Sequence, residues 1–128
     1  MIKTFDLMVE YLRNEGYRPS VEEFGATFRA EGSNYVYFRN DGDNEFMQLC
    51  LPGIYEIENE NERLRVLLAM DKANSTAKVV KCATVNDSVW VFFEILLDGS
   101  PELEDIVPRA LAMLKNGQNE FYNAMNLR

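Results

Sequence analysis

Hydrophobic residues in this chain change period in a fixed order: helical spacing, three strand-like runs, helical spacing again, two further strand runs and a long helical tail. Periods near 3.6 and near 2 cannot be exchanged without turning apolar side chains into water. The order therefore predicts an α+β fold, α-β-β-β-α-β-β-α, built on an antiparallel sheet. Residues 3 to 15 place Phe5, Met8, Val9 and Leu12 on one helical face, and Gly16 is suited to end that helix in the left-handed conformation. Tyr17 to Ser20, with Pro19, reads as a connector. Phe24, Ala26, Phe28 and Ala30 then alternate with Gly25, Thr27 and Arg29 as a half-buried strand does.

The turn Glu31-Gly32-Ser33-Asn34 leads into Tyr35-Val36-Tyr37-Phe38-Arg39, and Asn40 to Asn44 leads into Phe46 to Leu51. The extended pattern resumes at Ile54-Tyr55-Glu56-Ile57, so Pro52-Gly53 predicts a bulge or an edge position. Asn59 with Glu62 forms a capping box ahead of Leu64, Val66, Leu67, Leu68, Met70 and Ala73, a broad stripe that predicts a largely buried second helix. Lys78 to Val85 and Val89 to Leu97 make a hairpin across Asn86-Asp87-Ser88. Ser100 is the expected N-cap of the tail, with Pro101 at its first position. Pro108 predicts a kink, or a short helix followed by a main one carrying Leu111, Leu114, Phe121 and Met125.

Length and charge narrow the function. A chain of 128 residues suits a single domain over 1–128, with a core large enough to need neither metal nor disulfide. A formal charge of -8, with no Lys/Arg cluster, repels phosphate backbones and anionic membrane surfaces, so no nucleic-acid partner is expected. Histidine is absent, which removes the usual general base, the Ser-His and Cys-His pairs and the commonest transition-metal ligand. Cys50 and Cys82 lie in predicted strands without CxxC spacing and read as buried thiols, which suits a cytoplasmic location. The opening residues carry acids where a signal peptide needs an apolar stretch, and Val89 to Leu97 is too short to span a bilayer, so neither export nor membrane insertion is expected.

Catalytic signatures are missing. GxGxxG, GxxxxGK[ST], GxSxG and HExxH do not occur. Asp41, Asp43 and Glu45 alternate around Gly42 but lack the spacing of a calcium loop, and they join strands where that loop joins helices. Glu56, Glu58, Glu60 and Glu62 sit at a strand-to-helix junction and read as a solvated edge. No catalytic, metal or cofactor-binding residue is assigned, and no cofactor is expected.

The last strand is more informative. Val89, Val91, Phe93, Ile95 and Leu97 alternate with Trp90, Phe92 and Leu96, so both of its faces are apolar. With the odd set against the helices, Trp90 and Phe92 join Tyr35 and Tyr37 as candidates for a partner-binding or dimer surface on the opposite face. Alternatively, a loop or the first helix covers these residues within the monomer. A cup of sheet and helices is a further candidate for a small ligand, although no convergent polar set orients one.

The opening Phe5-Asp6-Leu7 to Gly16-Tyr17 helix, the meander through Tyr55-Glu56-Ile57, the second helix ending at Asn74 before Lys78, and the stretch from Trp90 to Met125 together resemble YbjN-type bacterial proteins and type III secretion chaperones. The Asn-rich end of the second helix looks more like the YbjN type. That resemblance implies a non-enzymatic protein-binding or regulatory module, with a protein partner or a homodimer. The chaperone likeness implies a dimer holding a client segment, and the third alternative is a small-molecule sensor.

Overall fold

In the computed structural model, which describes residues 3–127, Phe5, Met8, Val9 and Leu12 all leave solvent, and α1 (Thr4–Asn14) is the amphipathic helix their spacing implies. Gly16 takes a φ of 85°, and the Tyr17 N–H closes back on the Leu12 carbonyl at 3.0 Å. Three antiparallel strands follow: β1 (Ser20–Val21), β2 (Gly25–Ala30) and β3 (Ser33–Phe38). β1 falls where a connector was expected, because a two-residue strand is too short to show a period.

β4 (Phe46–Glu56) runs straight through Pro52-Gly53. Its register against the last strand slips between Leu51, opposite Val91, and Tyr55, opposite Val89. The bulge absorbs a proline that has no N–H to offer, and Gly53 supplies the left-handed φ of 59°. From the helix layer the Tyr122 hydroxyl donates to the Ile54 carbonyl at 2.7 Å, so the interrupted ladder is not left unsatisfied.

α2 (Glu60–Thr76) is capped as the Asn59 and Glu62 spacing implies: Asn59 Oδ1 accepts from the Glu62 N–H at 3.2 Å, and Glu62 returns to the N–H of Glu58. The helix is less buried than its apolar count suggests. Val66, Ala69, Met70 and Ala73 share one side, whereas Leu64 and Leu68 lie about half a turn away at 100° per residue and are 68% and 62% exposed. Leu67 is exposed as well. Apolar residues occupy opposite faces of α2, and only one face has a neighbour.

β5 (Lys81–Val85) and β6 (Ser88–Leu96) form the expected hairpin, and β6 inserts beside β4 to give the strand order β1-β2-β3-β4-β6-β5. β5 is therefore an edge strand. The Asn74 carboxamide, from the end of α2, accepts from the Cys82 N–H at 2.6 Å and donates to the Cys82 carbonyl at 3.2 Å.

α3 (Leu103–Met125) begins later than expected and runs unbroken through Pro108. Ser100 does not cap it, because the N-cap position falls at Glu102, two residues later; the Ser100 N–H instead donates to Asp98 Oδ1 at 2.9 Å. Pro108 cannot bond the Glu104 carbonyl, but both residues are exposed, so water reaches the freed acceptor and the helix need not break. α1 and α3 pack on one face of the sheet, with α2 against α3 and β5.

Gly117 sets the distance between α3 and the sheet. A Cβ there would lie 2.9 Å from methyl groups of both Val80 and Val91. Glycine to alanine normally stabilises a helix interior by up to about 1 kcal/mol. Here Gly117→Ala should instead cost roughly 1–3 kcal/mol, because two β-branched neighbours have no room to yield. A denaturant titration giving a more stable alanine variant would show that the interface relaxes freely.

Burial also ties stability to alkaline pH. Desolvation pushes the Cys50 thiol from 9.0 to about 12, the Tyr37 hydroxyl from 10.0 to about 12 and the Cys82 thiol from 9.0 to about 11. The unfolded chain sheds these protons first, so the stabilisation is complete below about pH 9 and is lost as pH climbs towards 12. The urea midpoint should accordingly fall steadily above about pH 9, and less steeply in a Cys50→Ala, Cys82→Ala double variant. A midpoint that stays level to about pH 11 in the wild-type chain would contradict this.

Candidate functional site: the helix-free face of the sheet

Strand register decides which side chains share a face. Tyr35 lies opposite Phe28 and Tyr37 opposite Ala26, and all four are buried against the helices. Tyr37 stacks on Phe5 of α1, with ring centroids 6.1 Å apart, and Tyr35 stacks on Phe28 at 5.6 Å. The two tyrosines are thus core residues. Their expected place beside Trp90 and Phe92 is corrected: in the aromatic-dense run Tyr35-Val36-Tyr37-Phe38 either parity satisfies a strand pattern, and contact with α1 selects the tyrosines for the inside.

Trp90 and Phe92 do occupy the opposite face, each partly exposed. Val89, Val91 and Phe93 between and beside them are buried, as the alternation in β6 requires. Phe38 and Phe24 complete the surface. Phe24 approaches Phe38 at 6.3 Å, Phe38 stacks on Trp90 at 6.1 Å and Trp90 on Phe92 at 6.0 Å, a continuous row of rings reaching from the β1–β2 turn to β6. Phe24, at the end of the row, is 51% exposed. Sequence reading missed Phe38 and Phe24. The signal was available in the Phe38 position, whose parity is opposite to that of the buried tyrosines.

Beneath this row the same face is tightly closed. Cys50 lies opposite Val36 on one side and Phe92 on the other, yet it is wholly removed from water. Beside Phe92 the polar side chains are paired: Lys81 Nζ meets Glu94 Oε1 at 2.7 Å, and Gln48 Nε2 donates to Glu94 Oε2 at 2.6 Å. Lys81 also stands 6.0 Å from the centre of the Phe92 ring. Beside Trp90, an open groove of about 610 Å³ is bordered by Pro52, Glu56, Val85, Asp87 and Ser88.

The other groups considered from sequence do not converge. Asp41 faces Lys3 and Arg39 at 3.7 and 3.9 Å, while Asp43 Oδ1 accepts from the Glu45 N–H at 3.3 Å. No group of three or more metal-ligating side chains occurs among the described residues. Of the alternating acids, Glu60 holds Arg63 at 2.8 Å, Glu62 accepts from the Tyr55 hydroxyl at 2.9 Å, and Glu56 stands exposed beside the groove. Arg63 keeps the Glu60 carboxyl below its usual range, and the Glu58 N–H with the Tyr55 hydroxyl does the same for Glu62. The side of the sheet facing the helices is largely filled by Tyr35, Tyr37, Leu49, Val91, Leu114 and Phe121, and a small apolar pocket of about 160 Å³ remains between β6 and α3, lined by Phe93, Ile95, Ile106 and Met113 with Arg109 as its one charged wall. No helix of the described residues is long and apolar enough to cross a membrane.

No protein family model matches the chain, and no curated protein matches it in sequence. Among solved structures it is similar to the crystal structure of YbjN from E. coli, described as a candidate transcription regulator, at 11% sequence identity and a TM-score of 0.69. The likeness covers 95% of this chain and 93% of that one. Three helices on a six-stranded antiparallel sheet, superposable over nearly the whole length of both chains, give this protein the α+β fold of YbjN.

Proposed function

We propose that the chain is a non-enzymatic protein-binding module, and that its recognition surface is the helix-free face of the sheet. The observation that carries this reading is the row Phe24–Phe38–Trp90–Phe92. Aromatic residues supply large contact areas at low entropic cost, and their clustering on an otherwise well-paired surface is typical of the centre of an interface. The regulatory role attached to YbjN supports a binding module. With a net charge of -8, such a role is better served by a protein contact, with a partner or with a second copy, than by a phosphate backbone.

A Trp90→Ser, Phe92→Ser double variant tests the surface. Neither ring belongs to the main core cluster, so the variant should retain its secondary structure and lose only about 1–3 kcal/mol of stability. Affinity capture from native lysate, with self-association followed by sedimentation, should show binding lost in this variant. It should be retained in Leu64→Ser, Leu68→Ser, which alters the exposed leucines of α2. The opposite pattern would move the interface to α2.

A further inference from the structure

We infer that the segment recognised at this face is basic, and that it sets an arginine or lysine in the groove between Trp90 and Glu56 with apolar residues along the row of rings. This rests on the sheet face being the recognition surface, and adds the chemistry of the partner. The argument begins with register. Glu56 lies opposite Ser88 and Trp90 follows two residues later on β6, so carboxylate and indole point to the same side of the sheet and border one groove.

Charges around that groove are uneven. Asp87 Oδ1 is held by Arg63 at 2.7 Å, and Arg63 is shared with Glu60. Among the described residues Glu56 has no ion-pair partner. Lys81, the cation beside the Phe92 ring, is committed to Glu94. Arg29, also on this face, lies out on β2, where its guanidinium reaches Asn34 at 3.4 Å. An indole face, a free carboxylate and apolar walls from Pro52 and Val85 are the surroundings in which a guanidinium or ammonium on a hydrocarbon stem is best held. An acidic segment would meet the unpaired carboxylate of Glu56, and the field of a chain at -8 would oppose its approach.

Trp90 is the single tryptophan of the chain, so its fluorescence reports on the groove directly. The folded full-length chain is titrated with a synthetic peptide in which arginine alternates with leucine, and separately with its glutamate–leucine counterpart. The arginine peptide should change the emission of Trp90 saturably and the glutamate peptide should not. Glu56→Gln should weaken the arginine peptide about three- to fivefold at low salt, a gap that closes as salt is raised. Glu104→Gln, an exposed acid on α3, should bind as the wild type does. Equal binding by Glu56→Gln, equal binding of the two peptides, or no binding of the arginine peptide overturns the assignment of charge. Each of those results leaves the surface itself to stand on capture by the Trp90, Phe92 variant. If that variant still captures its partner, the surface fails and the inference falls with it.

Discussion

Antiparallel pairing of β4 with β6 joins segments on either side of α2, and because side chains alternate along a strand, that one register assigns Val89, Val91 and Phe93 to the helices and Trp90, Phe92 and Glu94 to the other side. A slip of one residue would bury Trp90, Phe92 and Glu94 and turn three core residues into water. The bulge at Pro52-Gly53 interrupts this register without changing its facing. Between Leu51 and Tyr55 the irregularity places four residues of β4 against two of β6, and because two extra residues leave the alternation unchanged, Tyr55 stays on the inner face, where it meets Phe121 with ring centroids 5.9 Å apart. Close approach of α3 at Gly117 and the hydroxyl of Tyr122 at the bulge then hold the helix layer to the same two strands.

Much of this was legible because it is local. Gly16 ends α1, Asn59 and Glu62 cap α2, and a proline within a strand pattern marks a bulge, each through chemistry contained in a few consecutive residues. Tyr35 and Tyr37 failed for a different reason: in a run where every residue is apolar, alternation alone does not say which set faces inward, and the answer came from α1, whose Phe5 meets Tyr37 from far back in the sequence. Leu64, Leu67 and Leu68 show the same limit on a helix, since apolar residues around most of the circumference give no single direction. Pro108 was overread because a proline on the solvent side of a helix leaves its orphaned carbonyl to water.

The helix-free face combines two kinds of surface. Around Phe92 the polar atoms are satisfied within the chain, by Lys81, Glu94 and Gln48, and Cys50 beneath is sealed. Around Trp90 the acids outnumber their partners. A protein that approaches the first meets a finished surface of rings and closed ion pairs, whereas one that approaches the second meets uncompensated charge. The gradient along the row gives a bound segment a direction as well as a position.

A sheet with a bare face still has two rims, and rims are where strands from other molecules add on. Here one rim ends in the two residues of β1, too short to template another chain. At the other, the carboxamide of Asn74 occupies the N–H and carbonyl of Cys82 as a neighbouring backbone would, so a side chain stands in the place of a seventh strand. Edge addition is thereby blocked at Cys82, and β1 covers Ala26 and Thr27 at the other rim. A side chain that closes the backbone of an edge strand leaves the aromatic face as the more open route for a partner of the sheet.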